Sequence, residues 1–197
     1  MLKERVLITG ASGFIGTRLT EYLLAKDYAV IGLSRKKDLV SPHPDMQWIT
    51  ALSELKTDQI DYVINLAGES IGQGRWTAAR KQKLIASRVQ TTEQLYRYLE
   101  QRRIVPKCII SGSAIGYYGI DTTEQWQQAC TEQSPAQTIF QSELCQQWEQ
   151  TALQFSNQNT KIIRLGIVLS AKGGILPQML LPIRLNVAGK IGHGRQP

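Results

Sequence analysis

The most constraining stretch lies near the start of the chain, where the apolar run Val6-Leu7-Ile8 passes through Thr9 into Gly10-Ala11-Ser12-Gly13-Phe14-Ile15-Gly16. The run has the β-branched character of a buried parallel strand. Beyond it, Ile15, Leu19, Leu23 and Leu24 recur at helical spacing across residues 14–26. A glycine triplet at a strand-to-helix junction has a definite physical use. Gly10 permits a tight turn, Gly13 lets the backbone come close to a bound group, and Gly16 lets helix and strand pack together. The free N–H groups and positive end of the new helix then suit the pyrophosphate of a dinucleotide. The spacing is G-x-x-G-x-x-G and not the commoner G-x-G-x-x-G, so its place in the chain carries the argument.

That place is the first junction of an alternating pattern. Ala29–Leu33, Tyr62–Leu66, Lys107–Ser111 and Lys161–Leu169 read as strands, while 77–101 and 138–155 read as helices. Such alternation predicts an α/β fold, a doubly wound parallel sheet with helices on both faces. After Ala171 the composition turns to Pro, Leu and Gly without clear periodicity. Residues 1–170 are therefore expected to form the nucleotide-binding domain, and 171–197 to begin a substrate-binding region that is incomplete.

The end of the second strand selects the cofactor. NAD sites usually carry an Asp or Glu about 20 residues beyond the glycine turn, where it accepts hydrogen bonds from the ribose hydroxyls. Here the chain reads Ser34-Arg35-Lys36-Lys37. A carboxylate repels a 2′-phosphate, whereas a guanidinium grips it through paired hydrogen bonds, which favours NADP(H) over NAD(H). The formal charge of +7 fits the same anionic ligand. Its basic residues are scattered and no recognition motif accompanies them, so nucleic acid is not the expected partner. Cys108, Cys130 and Cys145 lack CxxC spacing or a nearby histidine cluster, which argues against a metal site or disulfide framework. The N-terminal apolar run is too short for a signal peptide or a membrane span, and the cytoplasm is the default location.

These features, with Asn65-Leu66-Ala67-Gly68 after a central strand, resemble the extended short-chain dehydrogenases/reductases with an NAD(P)-binding Rossmann fold. Arg75-Trp76, Ile85-Ala-Ser-Arg88, Ser111-Gly-Ser-Ala-Ile-Gly-Tyr-Tyr-Gly119, Trp148-Glu149, the run Arg164–Leu176 and the ending Gly189–Arg195 look like an atypical epimerase-like subfamily. Its members are commonly described as NAD(P)-dependent nucleotide-sugar epimerases, and some bacterial ones as cell-division inhibitors. The resemblance implies that Gly10, Ser12, Gly13, Phe14, Ile15 and Gly16 hold the pyrophosphate, and that Ser34 and Arg35 face the ribose phosphate. By the same resemblance, Leu66, Ala67, Gly68 and Glu69 line the adenine and ribose path. Arg88 stands where typical members keep an Asn, to reach phosphate or ribose oxygens or to pair with an acid. Val168 falls near the nicotinamide. Family members usually continue past this terminus, so the chain looks C-terminally truncated.

The catalytic case is weaker. Typical members use a Ser and a Tyr-x-x-x-Lys pair, in which the Tyr transfers a proton and the Lys lowers its pKa. Ser113 fits the serine position, but Ile139 stands at the Tyr and Glu143 at the Lys. Tyr117 and Tyr118 are the candidate substitutes. Glu69 and Glu143 form no convincing acid/base pair, His43 and His193 have no partner pattern, and Trp76, Trp126 and Trp148 read as packing residues. Two functions stay open: an NADP(H)-dependent oxidoreductase or epimerase-like enzyme acting on a small, nucleotide-sugar-like substrate, and a non-catalytic NADP(H)-binding regulator or interaction protein. Pairing of the helices at 77–101 and 138–155 would make a homodimer.

Overall fold

A computed structural model of the chain describes residues 2–41, 43–121, 129–171, 173–186 and 189. Its main sheet has six strands: β1 (Arg5–Thr9), β2 (Ala29–Leu33), β3 (Met46–Ile49), β4 (Tyr62–Asn65), β5 (Cys108–Ala114) and β6 (Thr160–Leu165). They lie in the order β3-β2-β1-β4-β5-β6, and every neighbouring pair is parallel. In the central register Leu7 lies beside Ile31 on one side and Val63 on the other.

Because strand side chains alternate between faces, β1 serves two cores at once. Val6 and Ile8 join Val30 against Leu19, Leu23 and Leu24 of helix α1 (Phe14–Ala25). Leu7, Ile31, Val63 and Ile109 point the other way. They meet Leu95, Tyr96 and Leu99 of α3 (Val89–Gln101) and Ala152 of α4 (Phe140–Leu153). The sheet is thus covered on both faces, as a doubly wound parallel sheet requires. Tyr96 is fully buried, stacks on Phe155 at 5.0 Å, and shares a 3.0 Å hydrogen bond with the Thr160 hydroxyl. Burial pushes its phenol up to about 12. Among the described residues no helix is long and apolar enough to cross a membrane.

Four details depart from the sequence expectation. The helix expected over 77–101 is two, α2 (Ala78–Ala86) and α3, separated at Ser87-Arg88. The Ser87 hydroxyl donates back to the Leu84 carbonyl at 2.9 Å, a bond that competes with helix continuation. The strand β3 was not foreseen. Its Trp48 ring lies across Gly32 of β2, in space that a Cβ there would occupy. The last long strand stops at Leu165, short of the expected 169. The stretch after it forms a short hairpin, β7 (Leu169–Ser170) with β8 (Gly173–Gly174), and then α5 (Leu176–Arg184).

Candidate functional site

The sheet winds outward from β1 in two directions, to β2 and β3 on one side and to β4, β5 and β6 on the other. Ligands of such sheets bind at the carboxyl ends of the strands where the winding reverses. A cavity of about 940 Å³ lies there. Its floor is the glycine turn, its near wall is Ser34–Lys36 with the loop 50–53, and its far wall is Leu66–Gly68 with Ser87, Thr91 and Gln94.

The turn is shaped by backbone demands that only glycine meets. Gly10 has φ +70°, and a Cβ there would sit 2.8 Å from the Leu66 carbonyl oxygen. A Cβ on Gly16 would collide with the Gly10 carbonyl, so this glycine brings α1 down onto the turn. Gly13 caps α1 without a side-chain hydrogen bond, and no acidic residue occupies the first turn. The first N–H groups of α1 are therefore open to an anion, which fits a pyrophosphate.

A buried polar string fixes the two strand ends that frame the turn. The Thr9 hydroxyl donates to Asn65 Oδ1 at 2.7 Å and accepts from the amides of Leu66 and Ala67, both at 3.1 Å. Asn65 Nδ2 donates to Thr92 at 2.8 Å and to Ser111 at 3.2 Å, and the Trp148 indole also donates to Thr92. The buried atoms of the string have partners inside the protein, so their hydrogen bonds offset the cost of desolvation while adding rigidity.

At the end of β2, Ser34 is buried and its hydroxyl lies 2.6 Å from that of Ser12, joining β2 to the turn. Arg35 follows with a largely exposed side chain. Its Nη1 reaches Glu69 Oε1 at 3.5 Å. Glu69 is pinned further by Arg80, which pairs with Oε2, and its amide donates to Ser87 at 3.1 Å. The Arg80 guanidinium, with a smaller contribution from Arg35, holds the Glu69 carboxyl below the usual carboxylate range. Arg88 turns inward. It donates to the carbonyls of Glu69 (2.9 Å) and Leu84 (3.2 Å) and lies over the Trp148 ring, and burial lowers its pKa.

The carboxyl ends of β5 and β6 are built differently. Ser113 is 2% exposed and donates its hydroxyl hydrogen to Glu149 Oε1 at 2.6 Å. Arg164 pairs with both oxygens of the same carboxylate, through Nε at 2.8 Å and Nη2 at 2.9 Å. These bonds to Glu149 are the main reason that the Arg164 pKa is raised. Its Nη1 donates to the Tyr118 hydroxyl at 2.9 Å, and its guanidinium lies 3.5 Å from the Tyr117 ring centroid.

The structure thus brings Gly10, Ser12, Gly13, Ser34, Arg35, Leu66, Ala67 and Gly68 to one cavity. Phe14 sits at the start of α1 under the hairpin, where a Cβ on Gly173 would meet its ring at 2.5 Å. Ile15 and Gly16 lie in the first turn of α1 behind the cavity wall. Glu69 and Arg88 stand behind the far wall, and Arg88 is engaged with carbonyls and an aromatic ring. Val168 is exposed beyond the end of β6, against the hairpin, and does not line the cavity. Glu143 is exposed on α4, while His43 Nδ1 accepts from the Asp45 amide at 3.2 Å. Trp148 is buried and Trp76 packs edge-on against Phe140 at 5.4 Å. Trp126 and His193 lie outside the described residues. The sequence reading did not assign roles to Arg80, Glu149, Arg164 or the wall residues of loop 50–53; the loop could have been found only by placing β3.

The fold and its cavity define a Rossmann-type dinucleotide-binding domain. The chain belongs to the NAD dependent epimerase/dehydratase family, which it matches over residues 6–190. An epimerase family protein of Staphylococcus saprophyticus is 37% identical over 98% of this chain and 65% of its own length. The human epimerase family protein SDR39U1 (isoform 2), solved with NADPH, is 34% identical with a TM-score of 0.80, over 98% of this chain and 63% of that one. A nucleoside-diphosphate sugar epimerase from Corynebacterium glutamicum is 31% identical with a TM-score of 0.73, over 98% and 40%. The chain therefore spans just under two thirds of the curated relative's length.

Proposed function

We propose that the chain is the NADP(H)-binding domain of an epimerase-like oxidoreductase acting on a small polar, nucleotide-linked substrate. The observation that carries the cofactor choice is the Ser34-Arg35-Lys36 wall of the cavity, which offers a guanidinium and no carboxylate where a 2′-phosphate would lie. The NADPH bound to the human relative and the nucleotide-sugar chemistry named for the bacterial one support the same reading. When bound, the cofactor supplies hydride transfer, while the protein supplies position and a proton donor.

Of the two candidate tyrosines, Tyr118 suits the donor role better. Its oxygen accepts from Arg164, so its own hydrogen is left for a substrate oxygen. Ser113 fits a positioning role, because its hydrogen is spent on buried Glu149. Residues 171–197 are assigned to the start of the substrate-binding region. A second reading, a non-catalytic NADP(H)-binding regulator, draws support from the same Ser113 geometry and from Ile139 and Glu143 in place of a Tyr and Lys. Titration of the chain with NADPH and NADH, followed by nicotinamide fluorescence, tests the cofactor assignment: equal affinity for both would remove it. Steady NADPH consumption with a carbonyl substrate would exclude the regulator reading.

A further inference from the structure

Three guanidinium groups converge on Glu69, two on its carboxylate and one on its main-chain carbonyl, and they are not equivalent. Arg80 is partly buried and divides its donors between Glu69 Oε2 and the Ser70 carbonyl, at 2.6 Å from the latter. Arg88 holds the Glu69 carbonyl from beneath. Arg35 is 83% exposed and is tied by one long contact of 3.5 Å. Two of the three are structural, and the third is held loosely at the edge of the dinucleotide cavity.

Glu69 is not placed to serve a ribose. One carboxylate oxygen is taken by Arg80 and the other faces Arg35, and the side chain stands outside the cavity lining. We propose that Glu69 is a specificity-determining counter-charge that keeps Arg35 in reserve beside the cavity and competes with the cofactor's 2′-phosphate for it. This rests on the NADP(H) reading above and adds to it a residue that tunes the strength of that preference. The exchange strands no group. When Arg35 moves to a phosphate, Glu69 keeps its partly buried partner Arg80, so no carboxylate is left unpaired. The cost of the exchange is that of giving up one exposed ion pair, together with the repulsion between Glu69 and the incoming phosphate. NADH asks for no such exchange, so Glu69 acts on one cofactor and not the other.

The test is a calorimetric double-mutant cycle on Arg35→Gln and Glu69→Gln, with NADPH and NADH titrated separately. Glu69→Gln is expected to tighten NADPH by about two- to fivefold, the range of an exposed ion pair, and to leave NADH unchanged. In the Arg35→Gln background the same substitution should tighten NADPH by less, since only the repulsion between Glu69 and the phosphate is then relieved. Glu69→Asp keeps the charge but shortens its reach, and should tighten NADPH by less. Retained NADH binding shows that each variant is folded. Weaker NADPH binding by Glu69→Gln, or an equal shift for both cofactors, would overturn the proposal. An NADPH preference that survives in the parent chain without coupling between Arg35 and Glu69 would overturn it while sparing the cofactor reading. A parent chain with no NADPH preference would remove both.

Discussion

The carboxyl edge of the sheet carries two constructions side by side. At β1, β2 and β4 the residues leave their binding capacity open: α1 begins without a side-chain cap, Arg35 is exposed, and a cavity of about 940 Å³ separates the walls. At β5 and β6 the polar groups answer one another, with Ser113, Glu149, Arg164 and Tyr118 joined by four hydrogen bonds of 2.6–2.9 Å. The first arrangement leaves main-chain donors that suit an anion. The second is a nearly closed ion-pair cluster whose remaining capacity is the Tyr118 hydrogen. The difference teaches where to look: we propose that ligand affinity belongs to the first region and local rigidity to the second.

Breaking the closed region should cost the most stability. Arg164→Met leaves the Glu149 carboxylate buried without its cation, and about 3 kcal/mol of stability should be lost on thermal or urea unfolding. NADPH affinity of the folded fraction should change little. A large loss of affinity with little loss of stability would reverse the assignment of the two regions. Gly16→Ala strikes the open region at its hinge, where the new methyl meets the Gly10 and Ala11 backbone. It should cost about 1–3 kcal/mol through overpacking, and calorimetry should find NADPH binding weakened at least about tenfold.

Arg35→Glu sharpens the comparison within the open region. Losing a charge-assisted bond to the 2′-phosphate is worth about 1.5–3 kcal/mol, so NADPH should weaken by roughly ten- to a hundredfold while NADH stays the same. The smallest effect concerns the core beneath both regions. Tyr96 ionises at about 12 in the fold, above its ordinary 10. Its contribution is complete below pH 10 and is lost as the pH rises from 10 towards 12, because the unfolded chain gives up its proton first. Tyr96→Phe should therefore flatten the alkaline loss of stability, at a cost of about 1 kcal/mol near neutral pH from the missing bond to Thr160. Urea unfolding across that pH range checks both.

The open region was legible in the sequence because backbone geometry writes itself in glycine. Gly10 and Gly16 admit no substitute where the turn, Leu66 and α1 approach one another. Arg35 was legible by position, one strand beyond that turn. The closed region was not, because Ser113 and Glu149 lie 36 positions apart and Glu149 and Arg164 another 15, with no spacing rule to join them. Both Glu149 and Arg164 were part of the family resemblance but had no partner there. The break between α2 and α3 was hidden because residues 77–101 are rich in Ala, Lys, Gln, Leu and Arg, and it took the contacts of Ser87 and Arg88 to divide them. Arg88 was expected either to reach the cofactor or to pair with an acid. Within the chain its donors go to the carbonyls of Glu69 and Leu84, a use of arginine that residue type alone does not announce.

The division between an open binding region and a closed structural one can be measured directly by amide hydrogen exchange with and without NADPH. The account predicts that NADPH slows exchange in the turn 10–16, in 34–36 and in 66–69, and leaves 111–114 and 162–165 as they were. Protection confined to the ends of β5 and β6, with the glycine turn unaffected, would contradict it.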